Sequence, residues 1–226
     1  MKKIVSAIFC LCVLSSIGFA QGSKKADFFI GYSNLQAEGI PNRDNPSSIF
    51  DENFFDRRAG LHGVDLSATG YFAGPLGITG DFSFHRDKHK DDFGASGSDT
   101  LDTQVYYFMV GPKLKFRNAS RIEPFVHGLV GGAHTRFKVS SVINTGGRTF
   151  NDSFTTSATD FAAAVGGGID IRLSNNFQLR LIQVDYAPIF LKDRSIQTLG
   201  GSGAIVPFTL EGQRQDNVRF SIGLVF

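Results

Sequence analysis

Ten ionisable residues occur at positions that would place their side chains on one common face of several short strands. Successive side chains of a strand point to opposite faces, and these ten mostly share their parity with glycines and other small residues. Charges of both signs that converge in a confined interior should pair, because an unpaired buried charge is strongly unfavourable. The ten residues are Asp65, Asp81, His85, Lys113, Lys115, Asp170, Arg172, Arg180, Asp185 and Arg219.

A network of this kind has two chemical interpretations. The first is a gated polar channel for small solutes or ions. The second is a plug of salt bridges that closes the interior and fixes the register of the strands. An interior enclosed by eight strands is just wide enough for side chains to fill, so a sheet of that size favours the plug.

Histidines and carboxylates also alternate in the segment H-R-D-K-H-K-D-D, which begins at His85. His85 and His89, beside Asp87, Asp91 and Asp92, could together bind a divalent cation weakly. An external loop is poorly preorganised for such binding, so we interpret the segment as a solvated, charged loop. The sequence predicts neither a metal site nor a cofactor.

Signatures of catalysis are weak. Ser83 and His85 share the inward face, and a serine nucleophile needs such a base, but no substrate path leads to this pair. The glycine-rich strings at 128–132, 165–168 and 200–203 lack the lysine and the strand-to-helix context of a phosphate loop. We therefore predict that the protein is not an enzyme.

The elements that would position the network are eight runs in which apolar and polar residues alternate. In the last run Val218, Phe220, Ile222, Leu224 and Phe226 occupy one parity, and mostly polar or small residues occupy the other. No convincing helical period of 3.6 residues occurs. The predicted strands span 26–34, 60–72, 76–86, 100–116, 123–138, 159–173, 177–190 and 217–226.

Three irregularities interrupt this pattern. Pro112 removes a ladder hydrogen-bond donor inside the fourth run, which requires a bulge or a position at the rim. Glycines blur the parity of the fifth run, so its inward face is undetermined. In the seventh run the apolar parity switches after Leu181, which predicts a bulge near 182–183.

The connections alternate between long and short. The long ones are 35–59, 87–99, 139–158 and 191–216, and those between them have about three or four residues. Strands of about ten residues joined in this way, with aromatic residues near their ends, are typical of membrane barrels. A closed sheet also satisfies every backbone group within hydrocarbon. The predicted fold is therefore an all-β, eight-stranded, antiparallel, transmembrane up-and-down β-barrel.

Aromatic residues near the strand ends suggest two girdles. Phe72, Phe116, Phe125, Phe177 and Phe226 are predicted at the periplasmic ends, and Tyr32, Phe84, Phe137 and Phe190 near the external ends. The first long connection is also unusually aromatic, with Ile49, Phe50, Phe54 and Phe55. We expect it to fold over the barrel mouth or lie on lipid head groups, although an adhesive patch is the alternative.

The beginning of the chain predicts export. A short basic region, an apolar segment and the small residues Gly18 and Ala20 form a cleavable signal peptide over 1–20. The barrel domain would then span 21–226. Both cysteines, Cys10 and Cys12, lie in the segment that is removed, so thiol chemistry is absent from the mature domain. Cleavage also removes two lysines and balances the remaining charges, which gives no indication of a nucleic-acid partner.

Several of these segments resemble one known family. The run 161–173, the S-N-N turn, the segment F-Q-L-R-L-I-Q-V-D-Y and the closing V-R-F-S-I-G-L-V-F together look like the small eight-stranded OmpA/OmpX-like outer-membrane β-barrels. The resemblance implies residence in the outer membrane of a Gram-negative bacterium. It also implies that Phe226 serves as the signal read by the barrel-assembly machinery.

The expected function is a structural or surface-interaction role, in envelope integrity or adhesion, through four external loops. The expected partners are outer-membrane lipid, lipopolysaccharide, the barrel-assembly machinery and a host or surface ligand. A narrow pore is the first alternative. The second is a secreted lipocalin-like carrier, which would place its apolar parity inside the barrel and its charges outside.

Overall fold

Twelve β-strands account for most of the chain in the computed structural model, which describes residues 25–38, 58–117, 120–145, 148–199, 205–210 and 213–226. No helix within these residues is long and apolar enough to cross a membrane. The strands are β1 (Ala26–Glu38), β2 (Arg58–Ala73), β3 (Leu76–Asp92), β4 (Gly97–Lys115), β5 (Ile122–Thr145), β6 (Arg148–Arg172), β7 (Gln178–Tyr186), β8 (Ile189–Phe190), β9 (Arg194–Leu199), β10 (Ile205–Leu210), β11 (Arg214–Gln215) and β12 (Val218–Val225).

Eight of the strands form a closed antiparallel ring. β1 to β7 pair in sequence order, β7 pairs with β12, and β12 pairs with β1. Short connections join β2 to β3, β4 to β5 and β6 to β7 at one end, called here the turn end, and the opposite end is called the loop end. The ring confirms the predicted eight-stranded barrel. The predicted signal peptide lies outside the described residues.

The outward face of the ring is apolar. Ile30, Phe108, Val110 and Val165 are all at least half exposed, and they occupy the parity that the alternating pattern predicts to face lipid. A soluble protein would bury such a band. Because the apolar side chains face outward while charged ones face inward, the structure argues against the lipocalin-like alternative.

Two of the long connections were predicted to be loops, and this prediction is wrong. β3 and β4 pair as far as Asp92 with Ser98, and β5 and β6 pair as far as Thr145 with Arg148. Residues 87–99 and 139–158 are therefore mostly strand. The outward alternation disappears there because a ladder beyond the hydrocarbon needs no lipid-facing surface. The first long connection, with its aromatic residues, falls largely outside the described residues, and the fourth contains the separate β9–β10 hairpin.

The irregularities resolve in three ways. β7 bulges at Leu181 and Ile182, which are both exposed, one residue before the predicted site. Pro112 lies within the wall, opposite Ile78, rather than in a bulge or at the rim. The β4–β5 ladder skips it and resumes in the same register at Lys113, because proline has no N–H to donate. Pro188 similarly separates β7 from β8.

β5 places its odd-numbered residues inside, so two aromatic predictions are wrong. Phe125 is only 2% exposed, and Phe137 packs against the interior apolar cluster. Neither belongs to a girdle. The outward girdles instead include Phe72, Phe116, Phe177 and Phe226 at the turn end and Tyr32, Phe84, Tyr106 and Phe190 towards the loop end.

Candidate functional site: the barrel interior and the external sheet

Arg219 is the centre of a buried cluster at mid-height in the barrel. Its guanidinium donates to Asp81 Oδ1 at 2.8 Å, to Asp185 Oδ2 at 2.7 Å and to Ser83 Oγ at 2.9 Å. Asp65 Oδ1 lies 4.0 Å from Nη1. These groups come from β12, β3, β7 and β2, so the cluster holds strands from different sides of the ring in one register. A planar guanidinium suits this task, because it presents several donors in fixed directions.

Three further side chains complete this central cluster. His127 Nε2 lies 2.7 Å from Asp185 Oδ1. The Gln183 amide donates to Asp185 at 2.7 Å, and the Ser221 hydroxyl donates to Asp65 at 2.8 Å. Asp65 and Asp185 therefore accept hydrogen bonds besides their ion pairs, which is the condition under which buried charges are tolerated.

Lys115 is the centre of a second cluster nearer the turn end. Its Nζ donates to Asp170 at 2.8 Å, to Asp27 at 3.0 Å and to the Gln178 amide oxygen at 2.6 Å. Arg180 Nε also donates to Asp170, at 2.8 Å. Because these residues belong to β4, β6, β1 and β7, the bonds cross the interior rather than follow the wall.

Glu123 extends this second cluster to the rim of the turn end. Arg172 Nε donates to its carboxylate at 3.0 Å, and the Gln178 amide donates at 3.1 Å. The Arg172 side chain is 34% exposed, so the network ends there at the solvent.

Lys113 lies between the two clusters with a different kind of partner. Its ammonium is 4.2 Å from the centroid of the Phe125 ring, a cation–π contact. The Arg180 guanidinium also lies over Phe125, 4.3 Å from its ring centroid, and over Phe29 at 4.0 Å. Within the described chain Lys113 forms no ion pair closer than 4.0 Å.

All ten ionisable residues singled out by their spacing project into the interior, and the structure brings eight of them into the two clusters. Lys113 lies between the clusters, and His85 lies above them, with Nε2 2.8 Å from Ser33 Oγ. Sequence reasoning missed five members: Asp27, Glu123, His127, Gln178 and Gln183. For Asp27 the available signal was its parity opposite to that of Phe28. For Glu123 and His127 it was their parity opposite to that of Val126, but the glycines of β5 concealed it.

The suggested histidine and aspartate set does not assemble. His85 is buried inside the barrel, whereas His89 lies on the external part of β3 and pairs with Asp91 at 2.8 Å. Four residues along one strand separate the two imidazoles by about 13 Å. Within the described ranges no group of three or more metal-ligating side chains occurs.

An apolar layer fills the interior above the charges, towards the loop end. Leu35, Leu61, Leu129 and Ile189 are at most 1% exposed and belong to one contiguous cluster. Tyr107 crosses this level, since its hydroxyl donates to the Ala187 carbonyl at 3.2 Å and accepts a bond from the Asn217 amide at 2.9 Å. The interior is thus bridged at three heights. An ion crossing it would have to separate existing ion pairs and then displace packed side chains.

Above the loop end the strands continue as what we call the external sheet, formed by residues 87–92, 97–103, 136–145 and 148–157 of β3, β4, β5 and β6. β6 is its edge. On the side away from β5 this strand pairs with β8 at Phe161 and Ala162, and with β7 from Val165 onward. Residues 148–159 of β6 therefore have no strand partner on that side within the described chain.

Comparison with known proteins agrees with this architecture. Residues 9–199 match the family model described as the outer membrane protein beta-barrel domain. The fold is similar to that of Ail, the attachment invasion locus protein of Yersinia pestis, solved in complex with the heparin analogue sucrose octasulfate, at 16% identity and a TM-score of 0.50 over 89% of this chain and 97% of that one.

A major outer membrane protein from Thermus thermophilus is similar at 12% identity and a TM-score of 0.51, over 89% of this chain and 98% of that one. No curated protein sequence gives a significant match. Because the family model covers most of the chain, this protein belongs to the outer membrane protein beta-barrel domain family and localises to the outer membrane.

Proposed function

We propose that this protein is a closed outer-membrane barrel with a surface-interaction role, in adhesion or envelope integrity, and that the external sheet is its contact surface. The observation that carries the proposal is the edge of β6 over residues 148–159, which no strand of the described ranges covers. The loop end would face the cell exterior and the turn end the periplasm.

An unpaired strand edge offers a row of free backbone N–H and C=O groups to another extended chain. Natural proteins usually protect such edges with proline, lysine or a covering loop. The β6 segment R-T-F-N-D-S-F-T-T-S contains neither proline nor lysine. Its Phe150 and Phe154 are 58% and 66% exposed, so they could supply apolar contacts beside the main-chain hydrogen bonds.

The bridged interior supports a plug rather than a channel. Arg219 and Lys115 each bind carboxylates from at least two other strands, and the apolar layer covers them on the loop side. A narrow pore remains the second candidate function, and Lys113 favours it. A buried cation without an acidic partner would attract a permeating anion.

The proposal includes no enzymatic activity. Ser33 and His85 are hydrogen-bonded to each other, but both are fully buried, which leaves no room for a substrate to approach. The proposed partners are outer-membrane lipid and lipopolysaccharide, the barrel-assembly machinery through Phe226, and a ligand outside the cell. The heparin analogue bound by Ail makes immobilised heparin a suitable probe.

A pair of matched variants tests the role of the β6 edge. Asn151→Lys with Ser153→Lys places two cations on the free edge, whereas Val142→Lys with Ser140→Lys places them on the directly opposite positions of β5, inside the sheet. Both changes add equal charge at the same height. Binding of cells that display each protein is then measured on a surface coated with extracellular-matrix protein, which can add a strand, and on immobilised heparin, which cannot.

We expect wild-type protein to bind the protein-coated surface and the edge variant to bind it several-fold less than the β5 variant, because edge lysines oppose strand addition. Equal binding by the two variants, or no binding by wild type, would contradict the proposed role of the edge.

A further inference from the structure

The outward face of the external sheet carries a cluster of cations directly above the aromatic girdle. Five exposed basic residues contribute to what we call the basic patch, which consists of Arg86, Lys88, Lys90, Arg136 and Lys138. Alternation along the strands places all five on the side that faces lipid lower down the barrel, and the exposed Phe150 and Phe154 lie on the other side.

The register arranges these cations as two columns flanking β4. In the strand register Lys88 lies opposite Asp102, and Asp102 lies opposite Lys138 in the same row. One row lower, Arg86 lies opposite Gln104, and Gln104 lies opposite Arg136. Since neighbouring strands are about 4.8 Å apart, the columns are separated by about 10 Å, with Asp102 and Gln104 of β4 between them on the same face.

Most of this charge is not neutralised by bonded partners. Arg86 forms a bidentate pair with Asp102, and Lys90 pairs with Asp92 at 3.2 Å. Lys88, Arg136 and Lys138 have no ion pair or hydrogen bond with any residue that the structure describes. Three cations on one surface of the described chain therefore lack a directly bonded counter-ion.

The height of the basic patch identifies the kind of anion that it would meet. Phe84 and Tyr106, whose rings are 4.7 Å apart, lie two residues below Arg86 and Gln104 on the same strands, a rise of about 7 Å. Aromatic girdles of membrane barrels mark the boundary between hydrocarbon and head groups. The basic patch therefore begins at the level of the head groups and faces along the membrane surface.

We propose that the basic patch binds the phosphate groups of the outer-leaflet glycolipid, lipopolysaccharide, and thereby fixes the external sheet upright on the membrane. This inference rests on the proposed outward orientation of the loop end, and it names a lipid partner for the face opposite the exposed phenylalanines. Both basic side chains are suited to phosphate recognition: lysine presents a compact point charge, and arginine presents a planar fork of N–H donors.

The test uses refolded full-length protein in nanodiscs of zwitterionic phospholipid, to which phosphorylated or dephosphorylated lipid A is added. Wild type is compared with the patch variant Lys88→Gln, Arg136→Gln, Lys138→Gln. The matched control is Lys25→Gln, Arg121→Gln, Arg148→Gln, which removes three exposed cations from the turn end and from the tip of the external sheet. Heat-modifiable gel migration establishes that each variant is folded.

We expect wild type and control to bind phosphorylated lipid A with similar affinity, and the patch variant to bind it on the order of 10- to 100-fold more weakly, since each cation near an anionic membrane surface contributes about 1 kcal/mol. Binding by wild type should also weaken as salt is raised and on removal of the phosphates, a comparison that requires no variant.

Equal affinity of the patch variant and the control, equal affinity of wild type for both forms of lipid A, or preferential binding of heparin by the basic patch would each overturn the inference. These results are distinct from failure of the proposed function. A barrel that inserts and binds surfaces through β6 without a phosphate preference contradicts only the lipid partner, and a chain that does not insert contradicts both.

Discussion

At the scale of single residues, buried charges define the register of this barrel. An inward Asp or Arg on one strand finds its partners on strands that are remote in sequence, as Arg219 finds Asp81 and Asp185. A slip of one residue would turn each of these side chains towards lipid, where a charge is costly. The ion pairs therefore penalise every register except the observed one.

Arg219 is the residue whose loss should matter most to stability. Arg219→Met leaves Asp65, Asp81 and Asp185 without their shared cation, and breaking a buried network in this way costs about 3–5 kcal/mol. We expect the urea midpoint of the refolded protein to fall accordingly. Adding Asp81→Asn and Asp185→Asn to Arg219→Met should restore part of the lost stability, because the uncompensated charges are removed.

The control is Arg214→Met, which removes an arginine whose side chain is 58% exposed and which pairs with Asp216. Exposed pairs contribute little to stability, so this variant should unfold close to wild type. Similar midpoints for Arg219→Met and Arg214→Met would show that the central cluster does not stabilise the barrel.

An external carboxylate should give the stability a small dependence on pH. Hydrogen bonds from Arg86 hold the pKa of Asp102 below its ordinary value of 3.8. The contribution is therefore present above that value and is lost as pH falls through the lowered pKa. Asp102→Asn should be less stable than wild type at pH 7 by under ~1 kcal/mol, and the two urea midpoints should converge once the pH is below that lowered pKa. A constant difference across this range would show that Asp102 acts through its shape alone.

At the scale of strands, alternation predicted the outward faces better than it predicted strand lengths or the parity of β5. Six of the eight runs have an apolar parity that lipid contact requires, and the structure places it outward. β5 combines Gly128, Gly131 and Gly132 with an inward Leu129 and Phe125, so hydrophobicity does not distinguish its two faces. The external sheet was missed because the strands continue to hydrogen-bond beyond the membrane, where no lipid-facing surface requires apolar and polar residues to alternate.

Parity was enough to predict the inward charged network, because a charged side chain is not expected to face lipid. Parity did not predict the apolar layer in the interior. Leu35 and Ile189 share a face with polar residues in the sequence, and only the stagger of the ring places them at one height. Parity assigns a residue to the inside of a barrel and does not give its level.

The closure of β1 on β12 depends on a close approach at Gly223. A Cβ added there would lie 2.2 Å from the Ile30 carbonyl oxygen and 2.4 Å from the Gly31 Cα, both backbone atoms that cannot yield easily. Gly223→Ala should therefore reduce the refolded, heat-modifiable fraction severely. At Gly80 a Cβ meets nothing within 4 Å, so Gly80→Ala should refold like wild type. Efficient refolding of Gly223→Ala would mean that the two strands can separate without loss.

Phe226 completes the same seam. Its backbone exchanges two hydrogen bonds with Phe28, at 2.9 and 3.2 Å, and its ring packs edge-on against Phe177 at 5.2 Å. Deletion of Phe226 should lower the amount of folded protein in the outer membrane, because it removes both seam bonds and the proposed assembly signal. Phe116→Ser removes an outward girdle aromatic at the same end and should have a smaller effect. Equal membrane levels for the deletion and wild type would contradict the assembly role.

At the scale of the whole molecule, a closed wall and a filled interior divide the protein into a scaffold and a surface. The scaffold satisfies its backbone within the ring and most of its charges within the interior, so neither is available to partners. Within the described chain, the external sheet is the part whose edge has unpaired backbone groups and whose two faces carry exposed phenylalanines and cations without a bonded counter-ion. Recognition should therefore vary with changes to the sheet, and folding with changes to the barrel.

The most direct test of this division is the ionic conductance of refolded protein in a planar bilayer, with heat-modifiable migration confirming insertion. We expect a folded barrel that gives no discrete conducting steps, because ion pairs and packed side chains bridge the interior at three heights. Arg219→Met is measured beside it, since loss of the central cation should be the first change to open a path. Discrete steps from wild-type protein would contradict the closed interior and favour the pore, with Lys113 as the first residue to substitute.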